Sequence, residues 1–395
     1  MKSVRVTKVL LAASATLASA LLLGSVFMTG QPAQAQTFTI LYSFTGGADG
    51  SQPYSSLILD SVGNLYGTTA VGGASGNGVV FKLDASGKET VLYTFQGGTD
   101  GANPWAGLVR DTAGNLYGTT EAGGTDGFGT VFKLNKTGKK KTVLYNFTGT
   151  GNDGAYTFAC LVRDAAGTLY GTTYKGGASG DGTVFKLNKA GKETVLYSFQ
   201  GGSDGQNPMA GVIRDATGNL YGTTFGAFGP NYGTLFKVTK TGKEKVLHAF
   251  SGGADGGAPQ YGGVVIDKAG NLYGTTSYGG THQYFGVVYK VSKSGKETVL
   301  YNFTGGADGA QPNAGLVMDA AGNLYGTTTG GGANGHGAIF KLNKKGKETV
   351  LYSFTGGTDA AVPDANLILD SKGNLYGTSI LGGTYGAGTV FKLKP

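Results

Sequence analysis

The chain is poor in the residues that most enzymes recruit. Its 395 residues contain one cysteine, Cys160, three histidines and nine prolines, and 14% carry charge. A single thiol excludes a disulfide framework within the chain, and a lone buried thiol more often fills space than attacks a substrate. Three histidines leave little for an imidazole-based metal centre. There is no GxxxxGK[ST] phosphate loop and no HExxH phrase. After the first thirty residues no apolar run is long enough to span a membrane, and no stretch keeps a helical period over ten residues.

The apolar run that does exist is N-terminal. Lys2, Arg5 and Lys8 precede Val9–Phe27, and "QPAQA" offers small residues at Ala33 and Ala35. This is the form of a secretory leader, expected at residues 1–35 and expected to be removed. Removal leaves 29 basic against 24 acidic residues, a balance of +5. Most lysines recur in one turn, "KxGKE", which reads as a solvated rim and not a nucleic-acid groove. The expectation is a soluble, monomeric protein, secreted to the cell exterior or the periplasm, with no membrane span after cleavage.

Glycine is abundant, with 75 copies, beside 22 tyrosines and 20 phenylalanines. Both follow from a repeat. The tyrosine of "NLYGTT" or its near copies stands at Tyr66, Tyr117, Tyr170, Tyr221, Tyr273, Tyr325 and Tyr376, at spacings of 51 to 53 residues. Each unit holds four strand-like runs, which in the second are "AGLVRD" (a), "NLYGTT" (b), "GTVFKL" (c) and "KTVLYNF" (d), each bounded by turn residues. Four strands per roughly 50 residues is one propeller blade. The expected fold is all-β: residues 36–395 as a seven-bladed β-propeller of four-stranded antiparallel blades. A d-type run at 38–44 has no a, b or c before it, and the c-type run at 389–393 has no d after it. Pairing these two would close the ring and remove free edges. The glycine after each repeat tyrosine is expected to make room for an adjacent blade's side chain. The Phe of "VFKL", replaced once by Tyr289, is expected in the same layer.

The "D-x-x-GNLY" core resembles NHL-type propellers, whose strands run a to d from the channel outwards. The whole unit, "GNLYGTT-x(2)-GG…G-x-VFKL…G-x-E-x-VLYSF-x-GG-x-DG", resembles the GloVer tandem repeat of exported bacterial proteins over residues 37–395. That resemblance implies an extracellular or envelope location and brings no activity with it.

In a propeller the b–c and d–a loops share one face. Here those loops are long, Gly-rich and different from blade to blade, while the a–b and c–d turns are short and uniform. Function is expected on the variable face. The d–a loops repeat an Asp-Gly pair, read as turn chemistry with calcium as the minor alternative; no other cofactor is expected. Before strand a stands the column Tyr54, Trp105, Phe158, Met209, Tyr261, Asn313 and Asp364, with Gln260 as an alternative to Tyr261. It should ring the channel mouth, either as an apolar plug or as a stacking platform with two polar contacts. Two residues on, Ser56, Gly107, Cys160, Gly211, Gly263, Gly315 and Asn366 are small, as a crowded axis requires. His282 and His336, in loops of adjacent blades, together with Glu121 form a weaker candidate for a metal or polar site. The function these features suggest is binding of a glycan, a peptide or an envelope component through the loop-rich face. A structural or adhesive envelope protein and a hydrolase or lyase at the same mouth are the alternatives.

Overall fold

The computed structural model describes residues 36–226, 231–282 and 284–395. The leader expected at residues 1–35 lies outside the described residues. Gln36–Pro395 folds as one compact unit. Among the described residues there are seven four-stranded sheets, each ordered a-b-c-d and antiparallel throughout. In blade 2 the strands are Val109–Arg110, Leu116–Thr120, Thr130–Leu134 and Lys141–Asn146. The last sheet is completed by the first strand: Thr37–Ser43 pairs with Thr389–Lys394, from Thr37 opposite Lys394 to Ser43 opposite Thr389. The ring closes as the strand count requires.

Period-two alternation explains why the blades stack. In "NLYGTT" of blade 2, Leu116 joins Phe132 and Leu134 against blade 1, while Tyr117 joins Phe147 towards blade 3. Seven such layers run around the ring. Phe95, which follows the outer strand of blade 1, meets Phe132 of blade 2 edge-on, with centroids 5.2 Å apart. Every Phe of "VFKL", and Tyr289 in its place, is fully buried. The glycine after the repeat tyrosine serves a different neighbour from the one expected. A Cβ on Gly118 would lie 2.8 Å from both Phe132 and Leu108, side chains of its own blade. The cross-strand Phe folds back over its partner glycine, so the room is made within the blade.

The two threonines of "GTT" have separate tasks. The first reaches the next blade's inner chain: Thr68 Oγ1 donates to the Ala106 carbonyl at 2.9 Å, and Thr378 closes the circle onto Ser55 at 3.2 Å. Thr223, which faces the blade with the extra residue near Tyr261, lacks a partner, as does Thr327. The second threonine secures the b–c loop, as Thr69 does on the Val71 carbonyl.

Strand a pairs over only two residues per blade, less than the six-residue run expected. Before those two residues the seven inner chains converge on the axis and lean on each other. A Cβ on Gly107 would come within 2.7 Å of the Ser56 carbonyl, and one on Gly211 within 2.6 Å of that of Cys160. The small column packs backbone against backbone there.

The repeated acids are turn chemistry. Asp60 accepts from the amides of Val62 and Asn64, the Asn64 side chain and the Tyr66 hydroxyl. These donors hold its carboxyl below the usual range against the opposing effect of burial. The d–a aspartates are occupied likewise. Asp49 accepts from Thr45 and from the Tyr42 hydroxyl, and His248 takes the tyrosine's place on Asp255 at 3.1 Å.

Candidate functional site

Loop-to-loop pairing sets the working face. In blade 2 Ala102 of the d–a loop bridges Ala122 of the b–c loop, and the same contact recurs as Ser51 with Val71 and Ala310 with Gly330. Among the described residues, both variable loops are tied together in this way in six of the seven blades, at one end of the ring.

From this face a repeated backbone device aims one residue per blade at the axis. Gln52, Asn103, Tyr156, Asn207, Ala258, Gln311 and Val362 all adopt φ between 53° and 57°, a conformation that costs a non-glycine residue energy and is least natural for β-branched Val362. Six of the seven precede proline. The turn then tightens: the Trp105 amide donates to the Asn103 carbonyl at 3.0 Å, and Tyr54 and Asn313 repeat the contact on Gln52 and Gln311. The Asn103 carbonyl also takes the Glu121 amide at 3.0 Å, locking the d–a turn to the first b–c loop residue. The column that follows the proline therefore has its direction set by the backbone.

Six of the seven column residues line one cavity of about 230 Å³: Tyr54, Trp105, Phe158, Met209, Tyr261 and Asp364. Small residues of the axis, Ser56, Gly107, Cys160, Gly211, Gly263 and Asn366, form its floor. Tyr261, and not Gln260, takes the blade 5 place. The aromatic side chains therefore surround a space instead of filling it. Tyr54 and Trp105 lie 4.1 Å apart between centroids at 43°, and Phe158 meets Trp105 edge-on at 6.0 Å. The Trp105 indole N–H donates to Glu121 Oε2 at 2.6 Å, which fixes the ring's rotation.

Asn313 is not a wall of the cavity. Its Oδ1 accepts the Ser277 hydroxyl at 2.8 Å, and its side chain hydrogen-bonds Asp364. Asp364 itself is 7% exposed, and its Oδ1 has no protein partner. Burial pushes its carboxyl up to about 7, the Asn313 bond offsetting part of that rise. Burial also raises the phenols of Tyr54 and Tyr261, with the Asp364 charge adding to both. Burial raises the Glu121 carboxyl, against the indole bond, and the Cys160 thiol as well.

The histidines do not join this group. His282 is exposed and hydrogen-bonds its neighbour Thr281. His336 lies over Gly356, as Asn77, Phe128 and Tyr232 lie over Gly97, Gly149 and Gly252. It is one member of a column that covers a loop glycine. Glu121 belongs to the mouth, with Trp105. Among the described residues no three His, Cys, Asp or Glu side chains converge as a metal set would.

A second mouth column escaped the reading of the sequence. The residue after "GTT" or "GTS" is Ala70, Glu121, Tyr174, Phe225, Ser277, Thr329 and Ile380. Three of these brace the first column: Glu121 on Trp105, Ser277 on Asn313, and Tyr174 edge-on to Phe158 at 5.5 Å. The signal was available, since this position varies freely next to an almost invariant phrase.

With the site described, known proteins can be set beside it. The pattern of the Gloeobacter/Verrucomicrobia repeat matches residues 19–236 and 211–395. No curated protein matches the chain. Among solved structures it is similar to an extracellular domain assigned to a hybrid two-component system of B. thetaiotaomicron, with 12% identity and a TM-score of 0.57, over 90% of this chain and 39% of that one. A related extracellular domain, assigned to a one-component system of the same organism, is also 12% identical, with a TM-score of 0.53, over 89% and 39%. The chain thus spans well under half the length of these two proteins, and the likeness is one of fold. A gluconolactonase of Xanthomonas campestris is 11% identical with a TM-score of 0.44, over 91% of this chain and 89% of that one. Among the described residues no helix is long and apolar enough to cross a membrane.

Proposed function

The chain belongs to the Gloeobacter/Verrucomicrobia repeat family, and from that premise we propose that it is a secreted binding protein which takes part of a glycan or peptide into the channel mouth. One observation carries the reading. A tryptophan whose ring is fixed by Glu121 stands in the wall of the same cavity as a buried carboxylate with an unpartnered oxygen. Concave, largely apolar sites with a few placed polar groups are the usual form of a small-ligand pocket. A fixed aromatic ring binds a flat apolar face at little cost in ordering. Exposed Tyr284, Leu381 and Tyr385, in b–c loops of the same face, offer further contact area beyond the cavity.

The test is a glycan and peptide array probed with the purified protein and with Trp105→Ala. Ligands lost in the variant, at unchanged melting temperature, support the reading. Equal binding by both proteins, or binding to whole cells alone, would favour an adhesive envelope role. The extracellular neighbours fit a secreted protein, and immunodetection of the chain in culture medium or periplasm tests that part.

An enzymatic reading has one observation in its favour: Asp364 sits near neutrality, where a general acid or base works well. Turnover of a bound glycan that Asp364→Asn abolishes, with binding retained, would decide for it.

A further inference from the structure

Resting on the reading of the mouth as a binding site, we infer that the group it recognises is a small ammonium: a primary or methylated amine seated against Asp364 and ringed by Tyr54, Trp105 and Tyr261.

The argument begins with charge. The chain as a whole is basic, at +8. The cavity reverses that sign. Its lining contains Asp364 and no lysine, arginine or histidine, and Glu121 stands behind Trp105. Lys175 is the cation whose position near the mouth is given by its ring contact, and it lies over the Tyr174 face at 5.2 Å. A buried carboxylate is ordinarily paired, because leaving an isolated charge in a low-dielectric site is costly. Asp364 has a single protein partner, the neutral amide of Asn313. That amide is turned by Ser277, whose hydroxyl holds its oxygen. The other carboxylate oxygen is buried and unpartnered.

The walls supply the second half. Tyr54, Trp105, Phe158 and Tyr261 present aromatic surface to one cavity, and the faces of Trp and Tyr attract cations, more strongly when water is excluded. A neutral sugar would use the same rings as a stacking surface, but it could offer Asp364 only a hydroxyl. An ammonium offers the full opposite charge that this desolvated carboxyl lacks. A cavity of about 230 Å³ admits a head group of this size and not an extended chain.

The proton balance follows from the same contacts. Burial pushes the carboxyl of free Asp364 up to about 7, so near neutrality part of the population holds it protonated. A cation seated beside it favours the carboxylate, and the proton leaves for solvent. The groups facing Asp364 are Asn313 and the raised phenols of Tyr54 and Tyr261, which stay neutral throughout this range. Binding should therefore release protons at pH 7 and strengthen as pH rises from 6 to 8.

The experiment is calorimetric titration of the purified protein with choline, and with 3,3-dimethyl-1-butanol, which replaces the quaternary nitrogen by carbon at nearly constant shape. Choline should bind at least tenfold more tightly. Heats measured in two buffers of different ionisation enthalpy should report proton release at pH 7 that fades at pH 8.5. Asp364→Asn should reduce choline affinity tenfold or more and remove the proton release; a melting temperature at or above that of the parent shows that it folds. Equal binding of the two probes, an unaffected Asp364→Asn, or no binding of choline, n-butylamine or tetramethylammonium up to 20 mM (roughly the weak limit of a specific site) would each overturn the inference. If the ammonium probes fail while array ligands still depend on Trp105, the broader binding reading survives alone. If both fail, the mouth is not a ligand site.

Discussion

The outer rim and the channel mouth meet the same difficulty, a carboxyl group withdrawn from water, and resolve it differently. At the rim, the start of each outer strand lies beside the d–a aspartate of the preceding blade. In five blades that position is a glutamate: Glu89 beside Asp49, Glu193 beside Asp153, Glu244 beside Asp204, Glu297 beside Asp255 and Glu348 beside Asp308. Each has a buried oxygen without a partner. Burial, reinforced by the neighbouring Asp, pushes Glu89, Glu193, Glu244 and Glu348 up to about 7. In blade 2 the place belongs to Lys141, whose side chain is 4% exposed and whose ammonium bonds Asp100 at 2.8 Å and lies 5.0 Å from the Phe95 ring. In the closing strand it belongs to Phe38, stacked on Tyr352 at 3.9 Å. The rim therefore carries three arrangements on one backbone: a raised carboxyl with one unpartnered oxygen, an ammonium bonded to Asp100, and a stacked aromatic cover. At the mouth Asp364 has no lysine and no stacked cover. Asp364 shares the raised, partly unpartnered state of the rim glutamates and differs from them in lining an aromatic-walled cavity that a ligand can enter.

The difference between rim and mouth can be tested in five ways. The largest effect should come from the layers that hold both regions in place. Phe132→Ala should lower unfolding free energy by about 3–5 kcal/mol, as truncation of a fully buried aromatic does, measured by urea denaturation. Lys141→Met should cost about 2 kcal/mol, because it strands Asp100, which retains some solvent contact. The reciprocal change, Glu193→Lys, should install the blade 2 arrangement and raise the melting temperature at pH 8 by roughly 1–3 °C; a fall there would show that the junctions are not interchangeable.

The pH dependence tests the rim as a set. A glutamate that titrates near 7 when folded and near 4.5 when unfolded holds its proton longer in the native state, so stability falls as pH rises from about 4.5 to about 7. The a–b turn aspartates act in the other direction. Their carboxyls are held low, Asp215 at about 2, so their contribution is complete above about pH 4 and is lost on acidification. The melting temperature should peak near pH 4 to 5 and decline towards pH 8, and Glu89→Gln combined with Glu348→Gln should flatten that decline. The smallest change in stability belongs to the mouth. Trp105→Ala and Asp364→Asn should each shift unfolding free energy by less than about 1 kcal/mol while removing ligand binding, since neither side chain belongs to an inter-blade layer. A large loss of stability in either would make the mouth part of the scaffold.

Much of this could be read from the repeat, because a repeated phrase reports the same environment seven times. The tyrosine spacing, the unmatched outer-strand run at residues 38–44 and the Asp-turn-Asn-Tyr phrase lead to the blade number, the closure and the a–b turn bonds found in the structure. The first mouth column was visible for the complementary reason, since Tyr54, Trp105, Phe158 and Asp364 vary where the frame does not. What stayed hidden were contacts between segments distant in sequence. Glu121 looked like a loop acid that could meet His282 and His336, and only the bridge between Ala102 and Ala122 shows that it returns to Trp105. Gly118 looked like a gap for a neighbouring blade, and only the register of Gly118 opposite Phe132 shows that the gap is filled from within.

Period, alternation and turn chemistry are local properties, so the sequence by itself determined the blade, its number and the face on which it varies. Whether a carboxyl is compensated is a property of everything within a few ångströms of it, brought there by seven chains meeting at an axis. That is why the composition of the loops left Asp364 as one polar residue among several, and the tertiary structure alone made it a buried oxygen facing an aromatic cavity with no protein partner.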